Sequence, residues 1–372
     1  MGSIGIGAGI LLVLIVLWET FETIVLPRTV IRQVRLTRLY FLVTWRVFRA
    51  GIPRGTSSTS RESYLSMFGP LCLLGLILCW VLALITGFAL MQLGLGSRTV
   101  SPTVHPGFIS DLYLSGTTFF TLGMGDVIPA TGPARACSVC EAGVGLGFLA
   151  VVIGYIPVIY ASFSRREAGI SLLDARAGSP PAAGEMLARH AAGGNMDSLT
   201  PLLSTFEAWA SDLMESHLSY PVVAYYRSQH DRESWVSALA AILDVCAIIE
   251  VGFENGGDWQ RALQWQARMT FAMARHAIVD LSLVFHVSPI APPGDRLPTE
   301  EFERLRRRLA AAGLTLAGGA NAEARLKKVR AQYEPYVGGL GDRLLMNLPP
   351  WTSDESALDN WQTSAWREAS HL

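Results

Sequence analysis

Residues 111–133 read DLYLSGTTFFTLGMGDVIPATGP, an apolar stretch with no charge between Asp111 and Asp126. It is too short to enter a bilayer and leave it as a full span, so it predicts a re-entrant hairpin. Uncharged runs flank it on both sides. Residues 63–97 carry no Asp, Glu, Lys or Arg, and residues 142–164 are bounded by Glu141 and by Arg165 and Arg166. Each is long enough to cross a hydrocarbon layer about 30 Å thick, and the longer one is expected to tilt or protrude. A third run is free of charge up to Glu19 and Glu22. With no basic signal-peptide segment before it, it predicts a retained helix over about residues 4–26.

Composition agrees with lipid as the solvent. Half of the 372 residues are hydrophobic, 16% are charged, and the mean hydropathy is +0.32. The charge is uneven: residues 1–164 hold 10 basic and 6 acidic side chains, and the remaining 20 and 25 lie beyond. The net charge of −1 leaves no basic excess for nucleic acid. Five cysteines in mostly apolar surroundings do not make a disulfide framework.

Eight arginines (28, 32, 35, 38, 46, 49, 54 and 61) lie between the first two spans, which places that loop in the cytoplasm. The N-terminus is then outside, the hairpin enters from the outer face, and the chain beyond Arg165 is cytoplasmic. The arginine-rich loop predicts an interfacial amphipathic helix. Its arginines would meet lipid phosphates, Tyr40, Phe41, Trp45 and Phe48 would sit at headgroup level, and Glu19 and Glu22 would pair with the arginines.

Within the hairpin, Thr121, Gly123, Gly125 and Asp126 fit the pattern T-x-G-x-G-D. With Thr117 and Thr118 before it and Pro129, Thr131 and Arg135 after it, the segment resembles the pore loop of potassium channels, and the resemblance covers roughly residues 64–166. It implies an all-α membrane protein: a pore module of helix, re-entrant loop and helix, with one extra N-terminal span and a helical cytoplasmic bundle. By this resemblance K+ is bound by the carbonyls of Thr121, Leu122, Gly123 and Met124, Asp126 sits at the outer mouth, and the chain forms a homotetramer. Thr117, Thr118, Arg135 and Glu141 would support the filter. Met124 departs from the usual tyrosine, so a weakly selective cation channel is the first alternative. A membrane-anchored signalling protein with a vestigial pore is the second. No catalysis is expected, and no cofactor beyond the permeant ion. The setting implied is the inner membrane, multi-pass, with lipid as a partner.

The last span contains Gly143, Gly145, Gly147, Gly154 and Pro157. Gly145 lies where related channels place a flexible glycine, so it is a hinge candidate; Gly143 and Gly147 also form a packing pattern of GxxxG type. Gly154 is a further gating candidate. Pro157 should bend the inner end, and Ile156, Ile159, Tyr160 and Phe163 are candidates for an apolar constriction. Glu141 is expected to brace the filter or to pair with Arg135. Cys137 and Cys140 form a lone CxxC without a second ligand pair.

The expected domains are residues 1–62, 63–166 and 167–372. In the last, AGSPPAAG at 177–184 reads as a linker. Helices are expected near 198–218, 232–254, 258–286, 299–312 and 320–334, and the apolar stretch 269–285 is expected at the centre of the bundle. Nucleotide-binding glycine motifs are missing. His217, His230, Glu250, Glu254, His276 and Asp280 make no recognised metal motif. The basic side chains at 304, 306, 307, 308, 325, 327, 328 and 330 read by default as a solvated hairpin. Trp351, Trp361 and Trp366 suggest that the tail packs back on the domain. The ligand or protein partner of this half is not legible.

Overall fold

A computed structural model describes residues 2–26, 36–52, 55, 57–100, 105–229, 232–289, 294–318, 321–353, 359 and 360. The fold is helical apart from two three-residue strands, and the chain divides into two compact units, Met1–Tyr160 and Ala161–Leu372. Three helical stretches are long and apolar enough to cross a membrane: Gly2–Val25, Ser60–Leu95 and Gly132–Ala177.

The first unit opens with α1 (Gly2–Thr20), which ends in a π-helical turn, Phe21–Val25. α1 runs antiparallel to α4 (Phe68–Leu95), and glycines set the distance between them. A Cβ on Gly9 would strike the carbonyl of Gly87, and one on Gly87 would come within 2.8 Å of Val13 Cγ2. In lipid no hydrophobic force drives helices together, so close backbone approach supplies the dispersion contact. Val13, Val16, Leu76, Trp80, Leu84 and Phe88 continue this seam into one apolar core with Phe119 and Phe148.

The long uncharged run is not one helix. It breaks at Met67 into α3 (Ser58–Ser66), capped by the Ser57 hydroxyl accepting from Ser60 N at 3.2 Å, and the 28-residue α4. Pro70 stands in the first turn of α4, where its missing N–H costs no helical bond. Met67 itself keeps right-handed helical angles, so Ser60–Leu95 remains one apolar path.

The amphipathic helix is present as α2 (Leu36–Ala50), but its contacts differ from the expectation. Tyr40 donates to the Cys72 carbonyl at 3.1 Å, Trp45 meets Phe68 edge-on at 4.8 Å, and Phe48 stacks on Tyr64 at 4.3 Å. These pairs descend in register, so α2 lies antiparallel along α3 and the start of α4. Its aromatic side is turned to protein and its outward face is aliphatic: Leu36, Leu39, Val43 and Val47. Glu19 caps this helix, accepting from Leu36 N at 3.3 Å and from Thr37 N and Oγ1 at 3.2 and 3.0 Å. A carboxylate is favoured at a helix N-terminus, and Glu19 takes that place on α2. Arg28, Arg32 and Arg35 lie outside the described residues.

After the pore-loop region the chain continues as α6 (Gly132–Ala177), which runs through Pro157 without a break. The second unit adds α7 (Ala183–Ala192), α8 (Leu199–Ser219), α9 (Trp235–Val251), α10 (Trp259–Val284), α11 (Thr299–Ala311), α12 (Ala322–Arg330) and α13 (Glu334–Leu344). The bundle is centred on α9, buried on every side except at Glu250, rather than on residues 269–285. α10 buries only one face, through residues such as Leu263, Ala267, Ala274 and Leu281. The expected linker 177–184 is core: Gly184 N donates to the Trp351 carbonyl at 2.9 Å, and a Cβ there would meet Leu305 at 2.6 Å. Its small residues permit that packing. Asp244 is fully buried, with Arg296 at 2.7 Å and the Tyr333 hydroxyl at 2.5 Å. Trp351 lies between Arg296 and Arg330, 5.6 and 5.3 Å from its ring, while Trp361 and Trp366 fall outside the described residues.

His217 on α8 is buried against Trp235, with Nδ1 2.8 Å from the Leu213 carbonyl. Burial, and then the charge of Arg166, push its pKa down to about 3. The folded state therefore holds the ring neutral while the unfolded chain protonates it below about pH 6.5. Stability from this group is complete above that pH and is lost as pH falls toward 3. Between pH 7 and 5 the wild type should lose about 2 kcal/mol more than His217→Gln in denaturant unfolding followed by tryptophan fluorescence. Equal losses would contradict the assignment.

Candidate functional site

The hairpin consists of α5 (Phe108–Phe119), the loop 120–126 and β2 (Val127–Pro129). α5 leads directly into the loop, and its last carbonyls are directed at the loop's first amides. Thr121 N donates to Thr118 O at 2.9 Å, Leu122 N to Thr117 O at 2.7 Å, and Gly123 N to the same carbonyl at 3.3 Å. Three successive amide hydrogens are thus taken up by the helix. Among the described residues no backbone hydrogen bond ends on the carbonyls of Thr121, Leu122, Gly123 or Met124.

Backbone handedness explains how this is possible. φ is positive at Thr121 (58°), Gly123 (54°) and Gly125 (80°), every second residue of the loop. Alternation of hand gathers successive N–H groups on one side of a ribbon and leaves carbonyls to the other. Glycine adopts the left-handed region freely, whereas for the β-branched Thr121 it costs about 1–3 kcal/mol, held in place by the bonds to α5. A run of unpartnered carbonyl oxygens can replace the water around a dehydrated cation.

The outer end of the loop is tied down. Asp126 Oδ1 accepts from Val127 N at 3.1 Å, its carbonyl accepts from Val100 N at 2.8 Å, and Tyr113 of α5 lies beside its side chain. β1 (Ser97–Thr99) pairs antiparallel with β2, Arg98 opposite Ile128. Leu122 and Met124 side chains are 62% and 66% exposed within the single chain.

Behind α5 lies a buried polar cluster. The Ser115 hydroxyl donates to the Ile85 carbonyl at 2.7 Å and contacts the fully buried Glu141 carboxyl, so α4, α5 and α6 meet there. Gln92 on α4 donates to Ala134 O at 3.1 Å and Ser138 Oγ at 2.8 Å on α6. Thr117 and Thr118 act through their main-chain carbonyls; the Thr117 hydroxyl itself bonds to Leu114 O at 2.9 Å. Arg135 is exposed and makes no side-chain contact with Glu141 among the described residues. Six residues apart on a helix, the two point in different directions. Gln92, Tyr113 and Ser115 escaped the sequence reading, although a lone amide in a 35-residue uncharged run was a visible signal for the first.

The gating candidates separate. A Cβ on Gly145 would collide with the Phe119 carbonyl, which makes this glycine a contact point between α6 and the end of α5. Gly143, Gly147 and Gly154 have open space around them, so the GxxxG pair packs on nothing among the described residues. Ile159 is buried, and Phe163 packs 5.6 Å from Tyr226 with the Arg166 guanidinium 5.0 Å from its ring. These two do not line an open face of α6; Leu146, Leu149, Ile153, Ile156 and Tyr160 do.

Among the described residues no three His, Cys, Asp or Glu side chains are placed to hold a metal. Cys137 and Cys140 are free thiols. His217 is core, Glu250 pairs with Arg268 at 2.7 Å, and His276 with Asp280 at 3.2 Å, while His230 is outside the described residues. The basic cluster disperses into pairs such as Arg304–Glu301, Arg308–Glu185 and Arg330–Asp295.

Residues 73–160 match a protein family described as Ion channel. The uncharacterized membrane protein YdjJ of Bacillus subtilis (strain 168) is 25% identical over 255 residues, which cover 67% of this chain and 71% of that protein. No solved structure matches. The family match supports an ion channel built from the α4–α6 region.

The packing role of Gly145 has a direct consequence. Gly145→Ala should drive a methyl group into α5, lower the thermal stability of the detergent-solubilised protein and reduce ion flux, whereas Gly154→Ala should leave both unchanged. Wild-type behaviour of Gly145→Ala would return that residue to a hinge role.

Proposed function

We propose that the protein is a homotetrameric potassium-selective channel of the inner membrane, with its N-terminus outside and residues 167–372 in the cytoplasm. The observation that carries this reading is the loop 121–125, in which amide hydrogens are spent on α5 and a row of carbonyls is left over. One chain supplies one such ribbon, and a cage around an ion needs several, which is the reason for four copies. Thr121, Leu122, Gly123 and Met124 then offer the ion sites, and the Asp126 carboxylate attracts cations at the mouth.

The dipole of α5 adds to the same field. Its carboxyl end faces the loop, where partial negative charge favours a cation that has lost its water. Residues 63–166 serve as the pore module, α6 lines the inner pathway, and residues 167–372 gate or assemble it. Conduction is passive and needs no cofactor. Met124 offers no donor to fix the filter wall. The exposed thioether favours a second reading, a cation channel of weak selectivity.

Tracer uptake into K+-loaded proteoliposomes tests permeation. Wild-type protein should carry the tracer, and Gly123→Asp should abolish uptake. That change adds a side chain at φ 54° and a carboxylate among the carbonyls. Undiminished uptake by a Gly123→Asp protein of unchanged oligomeric size would remove the loop from the ion path.

A further inference from the structure

The helix α10 presents two apolar faces, and its own domain covers only one. The second face consists of Ala262, Trp265, Met269, Ala272, His276 and Val279, continued one step further by Leu283. Trp265 and Leu283 are 64% and 67% exposed, and the residues between them are exposed or half-buried. Their spacing alternates three and four along the whole helix, which is the repeat that seats one helix on another rather than on a flat surface.

We infer that this face is a self-association seam, occupied by α10 of a second copy of the chain lying parallel to it. The flanking charges select the occupant and its direction. One flank carries Arg261, Arg268 and Arg275, and the other carries Gln266, Met273 and Asp280. In an antiparallel pair the arginine flanks of the two copies face each other and bring like charges together, Arg268 alone of the three being paired, among the described residues, with an acidic side chain of its own domain, Glu250. In a parallel pair each arginine faces a residue five positions on in the neighbour, so Arg275 meets the neighbour's acidic position 280 and no like charges meet. Arg275 uses Nε on the Gln332 carbonyl at 3.0 Å and retains its other donors. The seam goes beyond the pore reading and involves no claim about permeation or selectivity.

Single cysteines at the two ends of the seam test it in the full-length protein. Under mild oxidation Ala262→Cys and Val279→Cys should each form a covalent dimer with its own kind. The yield should be roughly tenfold or more above that of Glu303→Cys, an exposed site on α11. Adding Trp265→Glu to either should return the yield to the control level without lowering the melting temperature, since the indole contributes little to its own domain. Control-level yields from both single variants would overturn the proposal. So would a product that appears only when positions 262 and 279 are both cysteine, which means antiparallel seating, or a product formed in cells whose mass is not twice that of the chain, which means a different protein partner. Loss of ion flux with cross-linking intact would count against the pore reading alone.

Discussion

A peptide group without a hydrogen-bond partner inside hydrocarbon costs several kcal/mol, and the membrane unit is arranged around that cost. The spans meet it by being helical throughout. The loop 120–126 cannot, so it divides its groups: amides at 121–123 return to the Thr117 and Thr118 carbonyls, and the oxygens are left for something outside the chain. Removing α5 would orphan both sets. The bond from Val100 N to the Asp126 carbonyl, the β1–β2 pair and the Ser115–Glu141 contact hold α5 and the loop to the rest of the unit.

Packing in the same unit relies on glycine where soluble proteins rely on burial. Gly9 against Gly87, and Gly145 against Phe119, bring backbones into contact that a methyl group would prevent. The N-terminal span is thereby fixed along α4, and its end delivers Glu19 to the start of α2. The second unit follows other rules. The almost entirely buried α9 organises it, and its buried charge is compensated in place, as Asp244 is by Arg296 and Tyr333.

The spans and the hairpin were legible in the sequence because each rests on a long run without charge or on a glycine pattern with one steric meaning. Helices α8 to α12 were legible from periodicity, whereas α7 and α13 were not among the expected segments. Position-specific partners were not. The capping of α2 by Glu19 is visible only from the distance to Thr37 N, and AGSPPAAG reads as a linker because small residues suit both a free segment and a crowded core. The apolar surround of 269–285 pointed to a central helix, whereas the structure divides it into a buried face and an uncovered one. Tyr113 and Ser115 gave no signal, since a tyrosine or serine in a short apolar helix has many uses.

Selection of K+ by the carbonyl ribbon is the central claim. The most direct measurement is the reversal potential of purified protein in a planar bilayer with K+ on one side and Na+ on the other. A value close to the potassium limit is the expected result, with the Met124 loop sufficient for selection. A value near zero would contradict it and leave a cation pore without K+ preference.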